Sequence, residues 1–143
     1  MSGVDSSCGV GVPCARLAAM VVGGGGGERL GGVSKPDLVF GGVRLVDRVC
    51  CALGEVTGAG VVAIVPPSVR VPTGVTRALE DPPGGGPLAG IDAGLAALSV
   101  GADCWVIVVS VDCPGIADIL SCLLAEPLGI ACDGRILRGG DPE

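Results

Sequence analysis

LAAMVVGGGGGERLGGVSKP, residues 17–36, is the stretch on which the reading of the fold turns. Its first six residues, Leu17 to Val22, are an apolar run of the length of a buried strand. The run passes without a polar residue into the glycines at 23–27, then Glu28, Arg29, a second pair at Gly31-Gly32, and Lys35. Glycines adopt φ > 0 and bring backbone N–H groups close to a phosphate with no Cβ in the way, and Arg29 and Lys35 supply the countercharge. The stretch therefore reads as a strand leading into a triphosphate cradle. It is not a P-loop, because Lys35 is followed by Pro36 where that motif needs Ser or Thr, and a G-x-G-x-x-G match within five glycines carries no weight. A glycine-rich linker is the competing reading, and it leaves the spacing of Arg29, Gly31-Gly32, Lys35 and Pro36 without a reason.

Downstream, residues 38–40 followed by Gly41-Gly42 predict a short extended piece and a turn. Residues 44–57 repeat apolar positions at Leu45, Val46, Val49, Ala52, Leu53 and Val56, the recurrence of an amphipathic helix, which Gly58 and Gly60 end. The β-branched run 61–65, stopped by Pro66-Pro67, predicts a second buried strand. The result is a strand, helix, strand unit with its glycine loop after the first strand. Ligands of open α/β sheets bind at the carboxyl ends of the strands, where that loop lies.

Residues 68–78 are poorly patterned and read as loop with a short edge strand ending at Leu79; residues 81–87, with three glycines and three prolines, are neither helix nor ladder. Leu88, Ile91, Leu95 and Leu98 then mark the inward face of a helix ending before Gly101. Residues 104–111 form the most apolar run, expected at the centre of the sheet, and deliver Asp112 at its carboxyl end; Pro114 turns the chain into a helix over 116–125. An aspartate there, facing a triphosphate cradle, suits Mg²⁺, which takes one or two carboxylates and fills its shell with phosphate oxygens and water. Residues 128–132 predict one more strand, Asp133-Gly134 a turn, and residues 135–138 its return partner.

The 143 residues suit a single domain. Mean hydropathy of +0.70 raises the question of a membrane protein, yet no apolar run approaches the ~18–20 residues of a spanning helix, and buried parallel strands account for the value. A net charge of −6 and 1% aromatic content argue against nucleic acid as partner, which needs a basic stripe or a stacking platform. An anionic small substrate remains compatible through the local field of Arg29, Lys35, Arg44 and Arg48. Residues 1–15 have no basic segment followed by an apolar one, which predicts a cytoplasmic protein with a disordered start. In that compartment the eight cysteines are not a disulfide framework. With no histidine and no C-x-x-C they offer no usual zinc pattern, and Cys104, Cys113, Cys122 and Cys132 read as small core fillers.

Three motifs carry a resemblance. Val22-Gly-Gly-Gly, Arg29-Leu30-Gly31-Gly32 and Lys35-Pro36 together resemble the LAGG-x-x-x-R-[ML]-GG-x-x-K signature of the MobA-like nucleotidyltransferases. EDPPGGGPLAGI, residues 80–91, resembles that family's D-x-x-x-G-GPLAG, and VVSVDCP, residues 108–114, its strand-ending D-x-P. They occur in the family's order over about residues 17–138, and the doubled glycine before the lysine resembles the molybdenum cofactor guanylyltransferase branch.

The resemblance implies a three-layer α-β-α, Rossmann-like α/β fold with a mainly parallel sheet. It implies transfer of GMP from GTP to molybdenum-carrying molybdopterin, with Mg²⁺ as cofactor and molybdoenzyme apoproteins or other cofactor-biosynthesis proteins as further partners. Carried over residue by residue, Val22, Gly23, Gly24, Gly25, Lys35, Asp81 and Asp112 bind the nucleotide, Arg29, Lys35 and Asp112 carry catalysis, and Asp112 holds the metal. Ser34 stands where the guanylyltransferases usually have Asp, Gly23 where they have Ala, and Val65-Pro66-Pro67 where the family often places a polar residue near the base. Transfer from CTP to the same pterin, transfer from another NTP to a sugar phosphate, and a non-catalytic nucleotide-binding remnant are the alternatives. Glu143 falls several dozen residues before the point at which family members end, so the resemblance implies that closing elements are absent, and with them a tendency to self-associate through an uncovered face of the 104–111 strand.

Overall fold

The computed structural model describes residues 16–23, 34–126, 128 and 133–136. Six strands and three helices occur among them: β1 (Leu17–Val22), β2 (Val39–Phe40), β3 (Val43–Arg44), α1 (Leu45–Val56), β4 (Val61–Ile64), β5 (Thr76–Ala78), α2 (Pro87–Leu98), β6 (Trp105–Ser110) and α3 (Ile116–Leu123). Four strands form one sheet in the order β5-β4-β1-β6, every pair parallel. β2 and β3 make a separate antiparallel hairpin, and Gly41 and Gly42 at its turn have φ of 57° and 79°, which side-chain-bearing residues rarely adopt.

Period two along β1 divides the core. Leu17, Ala19 and Val21 join Val61, Ala63, Ile107 and the buried faces of α1 and α3 in the larger cluster. Met20 joins Val62, Ile64 and Ala78 in the smaller one, against which Ile91 and Leu98 of α2 pack. Helices thus cover both faces of a parallel sheet, a three-layer α/β architecture of Rossmann-like kind.

Three expectations are corrected. β6 is not the centre of the sheet: β1 and β4 are inner, and β6 is an edge among the described residues. Its apolar residues flank an apolar groove of about 960 Å³ shared with α3, and Val108 is 45% exposed. The α2 face is also different, since Leu88 and Leu95 are 79% and 44% exposed while the buried positions are Gly90 and Gly94. Ile91 and Leu98 of the expected face do pack on the sheet, but the closest approach is made by glycine: a Cβ on Gly94 falls 3.0 Å from Ile64 Cδ1 and 3.1 Å from Met20 Cε. Finally, Leu128 and Asp133–Ile136 belong to no strand; the rest of the expected 128–132 and 135–138 pair lies outside the described residues. Of the cysteines, Cys50 fills core, with its thiol pushed up to about 12 by burial, whereas Cys122 is exposed and Cys104 and Cys113 are half-buried. Cys132 lies outside the described residues.

The two α2 glycines make a paired test. A Cβ on Gly90 meets Ile64 Cγ2 at an ordinary 3.4 Å, so Gly90→Ala is expected to stabilise by up to about 1 kcal/mol through helix propensity alone. Gly94→Ala gains the same propensity but crowds Met20, which is fully buried, and overpacking of ~1–3 kcal/mol outweighs it. Thermal denaturation of both variants should show shifts of opposite sign.

Candidate functional site

β1 ends at Val22, and Gly23 continues it as its N–H donates to the Ile64 carbonyl at 2.9 Å. Gly23 is needed as glycine for space: a Cβ there falls 2.9 Å from Val65 Cγ1 and 3.0 Å from Pro36 Cγ. Pro36, fully buried, is the middle of a 3-10 turn over Lys35–Asp37. The close approach of that turn to the end of β1 sets Lys35 beside the neighbouring strand end. Next door, Val111 donates to the Val22 carbonyl at 3.0 Å, extending the ladder by one bond, and Asp112 is the first residue beyond it.

Lys35 and Asp112 meet there, 77 positions apart in sequence, with Nζ 3.4 Å from Oδ2. Their side chains are 41% and 49% exposed, so the pair contributes little to stability. It is a cation and a carboxylate held together at the carboxyl edge of the sheet. Ser110, the last residue of β6, donates its hydroxyl to Asp112 Oδ1. That hydrogen bond, and less strongly the Lys35 ammonium, holds the Asp112 carboxyl below the usual carboxylate range against the opposing effect of partial burial. The carboxylate is therefore ionised at neutral pH.

The turn carrying Lys35 is fastened from behind. Arg44 Nε and Nη2 grip Asp47 at 2.8 Å each, Nη1 donates to Asp37 Oδ1 at 2.7 Å, and Nη2 also reaches the Arg70 carbonyl at 2.9 Å. One guanidinium thus ties the 3-10 turn, the start of α1 and the loop after β4. Arg48 donates to the Phe40 carbonyl at 2.7 Å and lies 5.7 Å from that ring's centroid. Arg44 is neutralised within the scaffold and is not a free countercharge for a phosphate, contrary to the expectation from its closeness in sequence, whereas Arg48 is held by Phe40 with no carboxylate partner among the described residues.

Of the other expected site residues, Arg29, Gly24 and Gly25 lie outside the described residues. Asp81 is exposed in the loop after β5, beside the cis Asp81-Pro82 bond. It makes no contact with the Lys35–Asp112 pair: β5 and β6 are three inter-strand steps apart, roughly 14 Å. Ser110 was missed by sequence reasoning, since Asp112 lies beyond the end of β6 and strand alternation does not reach it. Asp37 was missed too, and nothing in the sequence pairs it with Arg44.

A lysine on the 3-10 turn packed against the end of β1 and an ionised aspartate just beyond β6 meet at the carboxyl edge of a parallel sheet, the edge at which open α/β sheets bind their ligands. The chain matches the family model of the MobA-like NTP transferase domain over residues 19–132, and it belongs to that family. It is accordingly a nucleotidyltransferase domain, whose substrate class is a nucleoside triphosphate. No curated protein matches the chain. Among the described residues, no helix is long and apolar enough to cross a membrane.

Proposed function

We propose that residues 1–143 act as one cytoplasmic domain that transfers GMP from GTP to molybdenum-carrying molybdopterin, releasing pyrophosphate. The observation that carries this reading is the pairing of Lys35, on the 3-10 turn packed against the end of β1, with Asp112 beyond β6, within a chain of this family. The acceptor phosphate attacks the α-phosphorus in line with the departing pyrophosphate, which takes the electron pair of the broken bond. The task of the protein is positioning and stabilisation of the spreading negative charge, with no covalent intermediate. Lys35, joined by Arg29, neutralises the phosphates. Gly24 and Gly25 supply backbone N–H groups to them, while Val22 and Gly23, whose N–H is held by the Ile64 carbonyl, shape the strand end beneath, and Asp81 contacts the nucleoside toward β5, so that the nucleotide lies along the carboxyl edge.

The donor set at Asp112 suits Mg²⁺. It is one hard carboxylate, half exposed, and among the described residues no cluster of three or more His, Cys, Asp or Glu could hold a metal alone. That matches an ion brought by a triphosphate, which supplies the remaining oxygens and is better neutralised by it. Near the expected position of the base, Val65 is buried and Pro66 and Pro67 are exposed, so Val65-Pro66-Pro67 offer only backbone there. No side chain there selects guanine, and CTP transfer to the same pterin is the second reading. Pyrophosphate release with GTP and with CTP, molybdopterin being present, decides between them. Release with neither, despite binding, would leave a nucleotide-binding accessory protein. Downstream partners in this reading are molybdoenzyme apoproteins or other proteins of cofactor biosynthesis.

Lys35→Ala is expected to weaken GTP binding by about 10- to 100-fold, the worth of a charge-assisted contact of roughly 1.5–3 kcal/mol, and to leave guanosine binding unchanged. Equal losses for both ligands, measured by calorimetric titration, would remove Lys35 from the phosphate site.

A further inference from the structure

We infer that Ser110 is a positioning residue for Asp112, holding its carboxylate in the orientation that receives the nucleotide-borne Mg²⁺; the inference rests on the proposed function. Ser110 is fixed by the sheet, since it is in register with Val22 of β1 and the next ladder bond runs from Val111 N–H to the Val22 carbonyl. Asp112 lies past the last ladder bond, in no regular element, and is half exposed. Its side chain has two described partners, one on each oxygen: the Ser110 hydroxyl on Oδ1 and Lys35 Nζ on Oδ2.

A carboxylate has about four lone-pair sites, so these partners leave roughly two open. The two partners differ in kind. Lys35 is a cation that competes with a metal for the same oxygen, and at 3.4 Å the contact is loose. The serine hydroxyl is neutral and carried on a residue still paired with β1, so it orients the carboxylate without opposing a second cation. Removal of the hydroxyl leaves Lys35 as the one partner among the described residues, and the freed carboxylate rotates toward the ammonium, closing the ion pair over the sites a metal needs. Hydrogen-bond partners that orient metal-binding carboxylates typically govern 10- to 100-fold in metal affinity.

The test is calorimetric titration of GTP into wild type, Ser110→Ala and Ser110→Thr, each with Mg²⁺ and with EDTA. Ser110 is exposed, so both variants should melt close to wild type. Ser110→Ala should lose roughly tenfold in affinity with Mg²⁺ and nothing in EDTA, and Ser110→Thr, which keeps the hydroxyl, should behave as wild type. The half-saturating Mg²⁺ concentration for pyrophosphate release should rise by a similar factor in the alanine variant alone. Equal losses in Mg²⁺ and EDTA, no loss in Mg²⁺, or a threonine variant no better than alanine would each overturn the inference. Wild-type binding that is indifferent to Mg²⁺ would overturn the functional reading with it, whereas Mg²⁺-dependent wild-type binding unaltered in Ser110→Ala overturns the inference alone.

Discussion

Asp112→Asn should abolish turnover while the fold survives. The amide is nearly isosteric with the carboxylate, and Asp112 is exposed beyond the end of β6 and paired, among the described residues, with other exposed groups. Loss of its half-exposed ion pair with Lys35 therefore has a small effect on stability. What disappears is the negative charge that a nucleotide-borne cation meets, a contribution of several kcal/mol to charge stabilisation in the reaction, so pyrophosphate release should fall by about a hundredfold or more. Affinity for GTP should become insensitive to Mg²⁺. Steady-state assays at several Mg²⁺ concentrations, paired with a melting curve, check both halves, and unchanged turnover would remove Asp112 from the site.

Gly23→Ala should damage stability and site together. A methyl group there comes within 2.9 Å of Val65 Cγ1 and 3.0 Å of Pro36 Cγ, closer than carbon atoms pack. Neither neighbour yields readily: Val65 is β-branched and fully buried, and Pro36 is a buried ring. Relief therefore comes by pushing the Lys35–Asp37 turn off the strand end, at an overpacking cost of roughly 1–3 kcal/mol. That motion carries Lys35 away from Asp112, so GTP affinity should fall along with the melting temperature. A variant as stable as wild type, with unchanged affinity, would mean that the turn has room to spare.

Much of the layout was legible in sequence because one signal, hydrophobic periodicity, reports burial directly. The Leu17–Val22 strand begins and ends where its apolar run does, and α1 follows its repeat to within a residue at either end. The same signal misled at α2. There, the spacing was right for Ile91 and Leu98, which pack on the sheet, and wrong for Leu88 and Leu95, whose places at the closest approach go to Gly90 and Gly94, because periodicity records which residues are apolar and not how near two backbones come. It misled again at β6, where apolar content suggested a central strand: a strand can be apolar because a helix and a groove adjoin it at an edge. Lys35 and Asp112 were identified from motif order, and the structure brings them together. The commitment of Arg44 to Asp37 and Asp47 was not legible, since nearness in sequence to Lys35 looks the same for a phosphate ligand and for a structural clamp.

That clamp gives the two halves of the site unequal tenure. Lys35 stands on a turn tied by one guanidinium to α1 and to the loop after β4, whereas Asp112 hangs from a strand that is paired on one side only among the described residues. Strand ends with a single partner are the first parts of a sheet to open in local fluctuations, while clamped turns open later. A nucleotide gripping both residues would act as a stitch across β1 and β6. Its binding free energy would be returned as protection of the weaker seam, so that the occupied domain closes the sheet edge from which its own carboxylate is suspended.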